Sequence, residues 1–137
     1  MNRLKLGLWI GLAVIFAAVL GWLYGWSGGR SASSALEGTR LRVSLLQARL
    51  QLLDARVNLY AVNFGDASRN LEYSKPELTT ARGLLERAGR RDLVDKIDAA
   101  LRSTREAQEL TAKLNQDANS RIGEAASLVN DVLQATK

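Results

Sequence analysis

Three aspartates, Asp92, Asp95 and Asp98, stand at every third position of the stretch "DLVDKID". Carboxylates spaced this way lie close together along a helix and could hold a hard cation through oxygen ligands. Their place in the chain explains them more simply. Gly89 is positioned to end one helix and Asp92 to cap the next, so the acidic groups meet the positive end of the helix dipole, with Arg90, Arg91 and Lys96 close by. The second explanation is preferred, and no metal site is expected.

Other routes to chemistry are thin. The chain contains no cysteine and no histidine, which removes thiolate nucleophiles, disulfides and the commonest general base and metal ligand. No nucleophile has a candidate base beside it. The glycine-rich "GWSGGRS", residues 25–31, follows an apolar run rather than a strand, so it reads as a linker and not as a phosphate cradle. Neither catalysis nor a cofactor is expected. The net charge of +5 is spread along the chain with no basic run longer than two residues. Nucleic-acid binding would cluster Lys and Arg on one face, so no nucleic-acid partner is expected.

The elements are more legible than the chemistry. With 137 residues, one proline and abundant Leu, Ala, Arg and Glu, the composition is helix-forming and sized for one ordinary domain. No charged residue lies between Lys5 and Arg30. The apolar core Leu6 to Trp26 would span roughly 31 Å as a helix, the thickness of a bilayer's hydrocarbon. Trp9 stands near one end, and Trp22, Tyr24 and Trp26 stand near the other, where amphipathic rings favour headgroup depth. A cleavable signal peptide has a shorter apolar region ending at a small-residue site, whereas "SASSA" lies beyond Arg30. The run is therefore read as an uncleaved anchor over residues 6–27. A short N-terminal flank, residues 1–5, precedes it, and a flexible linker, residues 28–35, follows. Arg3 and Lys5 before the run place the N-terminus in the cytoplasm and the C-terminal part on the extracytoplasmic side, periplasmic in a bacterium. Within the run Gly7, Gly11, Ala13, Ala17, Gly21 and Gly25 put small residues along the span, a pattern that lets two membrane helices approach closely.

Helical periodicity fills residues 36–137. Counting sevens from Val43 meets Leu50, Val57, Phe64, Leu71, Leu78 and Leu85, with Leu46, Leu53, Tyr60, Ala67, Ser74 and Ala81 as the accompanying series. A second array runs from Leu93 through Ile97, Ala100, Thr104, Ala107, Thr111 and Leu114 to Ala118, Ala125, Leu128 and Val132. Folding the arrays about residues 89 and 90 pairs Leu85 with Leu93, Ala81 with Ile97 and Leu71 with Ala107. Further along, Tyr60 meets Ala118, Val57 meets Ile122, Leu53 meets Ala125 and Leu46 meets Val132. The expected fold is all-α: one N-terminal transmembrane helix, then a long antiparallel, coiled-coil-like hairpin.

One stretch opposes a straight arm. "VNFGDASRNLEYSKPE", residues 62–77, holds Gly65 and the only proline, Pro76. An interior glycine costs about 1 kcal/mol and an interior proline about 3, against roughly 1.5–3 kcal/mol returned by each buried Leu, Val or Phe. The balance favours a continuous arm kinked at Pro76, although "SKPE" could cap a new helix from Ser74. The alternative is a turn near Asn63 to Asp66 with a matching break at "LNQD", residues 114–117, which would fold the hairpin into a compact four-helix bundle.

A second apolar row, Leu45, Leu52 and Leu59, lies beside the first, and Ile122, Val129 and Leu133 widen the facing arm. A two-helix hairpin has no use for so broad a face. Either the bundle folds on itself or another chain covers it, and these six residues are read as an interface. The expected role is a membrane-anchored scaffold, tether or accessory subunit working by protein–protein interaction. Its partners would be the lipid bilayer and a second copy or a larger membrane complex. A receptor-like sensor binding a small ligand between helices is the rival; it would use the polar core positions Ser74, Thr104, Thr111 and Arg121.

Overall fold

The computed structural model describes residues 33–137, and every regular element among them is a helix. The apolar run, its stripe from Gly7 to Gly25 and the first part of the linker lie outside the described residues. Residues 33–35, expected as the end of that linker, are helical. Helix α1 covers residues 33–60, α2 Phe64–Arg87, α3 Arg91–Ala112 and α4 Ala118–Ala135. Glu37–Lys137 forms one compact unit. No helix among the described residues is long and apolar enough to cross a membrane.

All three turns are built the same way. After α1, Val62 N–H bonds to the Leu59 carbonyl at 2.9 Å and Asn63 N–H to the Asn58 carbonyl at 2.8 Å. After α2, Gly89 bonds to Glu86 and Arg90 to Leu85; after α3, Leu114 bonds to Thr111 and Asn115 to Leu110, all four at 3.0 Å. This pair of bonds satisfies two carbonyls of the last helical turn and requires a left-handed residue between them. Gly89 supplies it with φ 70°, but at the other two turns the position holds Val62, φ 59°, and Leu114, φ 54°. Side-chain-bearing residues adopt that conformation at a cost of about 1–2 kcal/mol. Asn63 then starts α2, its side-chain oxygen accepting from Asp66 N–H at 3.2 Å.

The straight hairpin is therefore corrected to four helices: each long arm breaks, at residues 61–63 and 113–117. Gly65 falls in the first turn of α2, where it interrupts nothing. Pro76 lies within the 24-residue α2. Ser74 caps no new helix: it is buried and donates to the Leu71 carbonyl at 2.8 Å.

Polar links fix the order of the helices around the bundle. Glu37 and Arg87 pair at 3.7 Å between α1 and α2. Arg82 donates to Asp98 at 2.7 Å between α2 and α3, and Arg121 pairs with Glu106 at 3.1 Å between α3 and α4. Arg56 Nε donates to Asn119 Oδ1 at 2.8 Å, and Gln116 Nε2 to the Leu59 carbonyl at 3.1 Å, so α4 returns beside α1. The result is an up-down-up-down ring of neighbouring antiparallel helices. Such exposed pairs add little stability singly, but they report the register.

The core confirms one half of the heptad reading and corrects the other. Leu71, Leu78, Leu85, Leu93, Ile97 and Ala107 are buried as expected, along α2 and α3. On α1 the expected core row faces outward: Leu46, Leu53, Val57 and Tyr60, which were to meet Val132, Ala125, Ile122 and Ala118, are 48, 38, 65 and 67 % exposed. The buried row is Leu45, Ala48, Leu52, Ala55 and Leu59. The sevenfold count from Val57 to Phe64 runs through the turn at 61–63, and a turn resets the rotation of the next helix. Continuity of the letters across it carried no structural meaning.

Spin labels at the exposed positions Arg40 and Glu86 test the break directly. A continuous arm would separate them by roughly 70 Å, whereas the bundle is expected to hold them within about 25 Å. The turns give a second test by thermal unfolding. Val62→Gly and Leu114→Gly should each raise stability by about 0.5–1 kcal/mol, the relief of left-handed strain exceeding the entropy cost of glycine. Gly89→Ala should lower it by about 1 kcal/mol, for conformational reasons alone, because a Cβ there meets nothing within 4 Å.

Candidate interaction surface

The six residues read as an interface are interior. Leu45, Leu52, Leu59, Ile122 and Val129 are fully buried, and Leu133 is 8 % exposed. Covering this broad face takes no second chain, because α1 and α4 present it to each other and to α2 and α3. The cross-helix register sets Leu52 level with Leu71 and Ile122, and Leu45 level with Leu78 and Val129. Between these large residues Ala48, Ala55, Ala67, Ala118 and Ala125 are fully buried and let the helices approach.

The aspartates of α3 are accounted for mainly by neighbouring arginines. Asp98 accepts from Arg82, Asp92 pairs with Arg90 at 3.6 Å, and Asp95 borders an open depression of about 450 Å³ with Glu86, Gly89, Arg91 and Val94. Among the described residues no group of three His, Cys, Asp or Glu side chains could hold a metal. The Asp98 carboxylate, the largest influence, and Glu86 together raise the Arg82 pKa. On the next turns of the same α2–α3 face, Lys75 and then Gln108 hold the Glu72 carboxyl below its ordinary value of 4.5.

The polar core positions use their donors locally. Thr104 donates to the Ala100 carbonyl at 2.8 Å and Thr111 to the Ala107 carbonyl at 2.7 Å, as Ser74 does to Leu71. Arg121 is on the surface, paired with Glu106 and Glu124. These hydroxyls bind the backbone of their own helices.

What stands out is the outer face of α1. Val43, Leu46, Leu50, Leu53, Val57 and Tyr60 follow one another at alternating three- and four-residue steps, and all six are exposed. Beside this row a groove of about 380 Å³ is lined by Gln47, Leu50, Gln51, Tyr73, Pro76 and Glu77. With its nitrogen turned toward α2, the Gln47 amide donates to both carboxylate oxygens of Glu77 at 3.2 Å. At the far end of the row the side chains of Asn119, the larger influence, and Arg56 hold the Tyr60 phenol below its ordinary pKa of 10.0. The spacing of this row was plain in the sequence. The sevenfold count, carried across residues 61–63, ties it to the core row of α2, and the turn there breaks that link.

Fold and surface together define a four-helix bundle with a buried apolar core and a heptad row left outside. Comparison of the chain with protein-family models, curated proteins and solved structures finds no match.

Paired substitutions separate the two faces of α1. Leu52→Ala is expected to cost about 2–5 kcal/mol of bundle stability by leaving a cavity. Leu50→Ala, at a position 56 % exposed, is expected to change it by about 0.5 kcal/mol or less. Thermal unfolding by circular dichroism compares them.

Proposed function

We propose that this chain is a single-pass membrane-anchored protein whose helical bundle binds other protein chains, as a scaffold, tether or accessory subunit without catalytic activity. Residues 6–27 are the anchor, the N-terminus is cytoplasmic and the bundle lies on the extracytoplasmic side, the periplasm in a bacterium. The observation that carries the interaction role is the outer face of α1. Soluble monomers rarely leave a contiguous row of six large apolar side chains in water, and here the inward side of α1 is already taken by Leu45, Ala48, Leu52, Ala55 and Leu59. The anchor is supported by the uncharged run with aromatic residues at its ends. A ligand-binding role draws no comparable support, since the buried Thr104, Thr111 and Ser74 hydroxyls donate to their own helices.

Alkaline carbonate washing of membranes tests the anchor. The full-length chain should stay in the pellet. A soluble mature form beginning near Ser34 or Ala35 would instead mean that the apolar run is a cleaved signal peptide.

A further inference from the structure

The outer row of α1 has the residue types of a particular assembly. Labelled as heptads, Val43, Leu50 and Val57 take the a positions and Leu46, Leu53 and Tyr60 the d positions. The inner, buried row falls at c and f, so one helix carries two seams on roughly opposite sides. Valine at a with leucine at d is the combination that favours two parallel strands over three or four. The seam is also narrow, two positions in seven. Helices that lie on lipid present a wider apolar face, so this pattern fits a partner helix better than a bilayer surface.

The flanking charges choose the partner and its direction. The g positions are Arg42, Arg49 and Arg56, and the e positions Gln47 and Asp54. In a parallel, in-register pair each g residue faces the e residue five positions on in the other strand, so Arg49 meets Asp54 twice, once on each side of the seam. Arg42 faces Gln47, a neutral contact. In an antiparallel pair the g rows face each other and arginine opposes arginine. Arg49 and Asp54 are both exposed on α1, at positions where a second seam helix would reach them.

We infer that the outer face of α1, from Val43 to Tyr60, is the interface of a parallel homodimer, with a second copy of this chain as the occupant. The inference names the partner in the interaction role proposed above. The seam is short, about two and a half heptads, so the pair should be weak when the chains are free in three dimensions. Confinement of both chains to one membrane raises their effective concentration and strengthens the same contact.

Because the chain has no cysteine, single cysteines test this without background. In the full-length chain reconstituted in lipid vesicles, Leu46→Cys and Leu53→Cys should each form a disulfide between identical positions. The yield should exceed by about tenfold that of Arg102→Cys, exposed on α3 away from the seam. Charge reversal then tests register. Arg49→Asp and Asp54→Arg, each carried with Leu46→Cys, should each lower crosslinking about tenfold, and mixing the two variants should restore it, because unlike charges then face each other on both sides. Equal yields at Leu46 and Arg102, or failure of the mixture to recover, would overturn the parallel seam. Capture of a different protein by Leu46→Cys in native membranes, or burial of a spin label at Leu46 in lipid, would also overturn the homodimer. Only the former would leave the broader interaction role standing.

Discussion

Everything in the bundle depends on which face of α1 is turned inward. That helix carries two apolar rows, and only one can be buried against α2 and α4. The inner row alternates large and small, Leu45, Ala48, Leu52, Ala55, Leu59, and every member is fully buried. Alternation lets leucines of one helix settle opposite alanines of the next, at the close spacing a four-helix core needs. The outer row is large throughout. Turned inward, it would hold neighbouring helices apart and expose the alanines. Packing density decides, and hydrophobicity alone does not.

The turns serve that choice. A straight arm would have kept Val57 and Phe64 on one stripe and turned Val43 and Leu50 to the core with them. Breaking the arm at 61–63 frees α1 to rotate before it packs. The break comes at the cost of a valine in a conformation that glycine adopts freely, and the matching break at 113–117 imposes the same on Leu114. Both side chains are about two-thirds exposed, so neither is compensated by burial there. The strain is tolerated because the helices on each side leave the chain no other path.

Much of this was readable in the sequence, though unevenly. The all-helical class followed from composition and period, and the turn at Gly89 from the one residue type that announces a left-handed cap. The packing of α2 on α3 followed from their heptads, which no turn interrupts. The other two turns carried no such sign, because Val62 and Leu114 look like residues of a continuing helix, while Gly65 and Pro76, which do look like breaks, lie inside α2. The outer face of α1 was visible as a seam but could not be told from a core row. Two rows of similar hydrophobicity on one helix are separated only by what packs against each, and that depends on rotations set at the turns.

The ring closes between residues far apart in the chain. Arg82 and Asp98 are joined across 16 positions, Arg56 and Asn119 across 63. The entropy of closing a loop grows only with the logarithm of its length. The fourfold difference therefore adds about 1.2 kcal/mol, at about 0.6 for each doubling. One buried leucine contributes about 1.5–3 kcal/mol, and α1 brings three to its inner row. Helix α1 is thus seated by local side-chain packing far more than it is opposed by chain connectivity. A bundle in which the outermost helix closes the circuit keeps that helix's remaining face available, at no cost to the order of the other three.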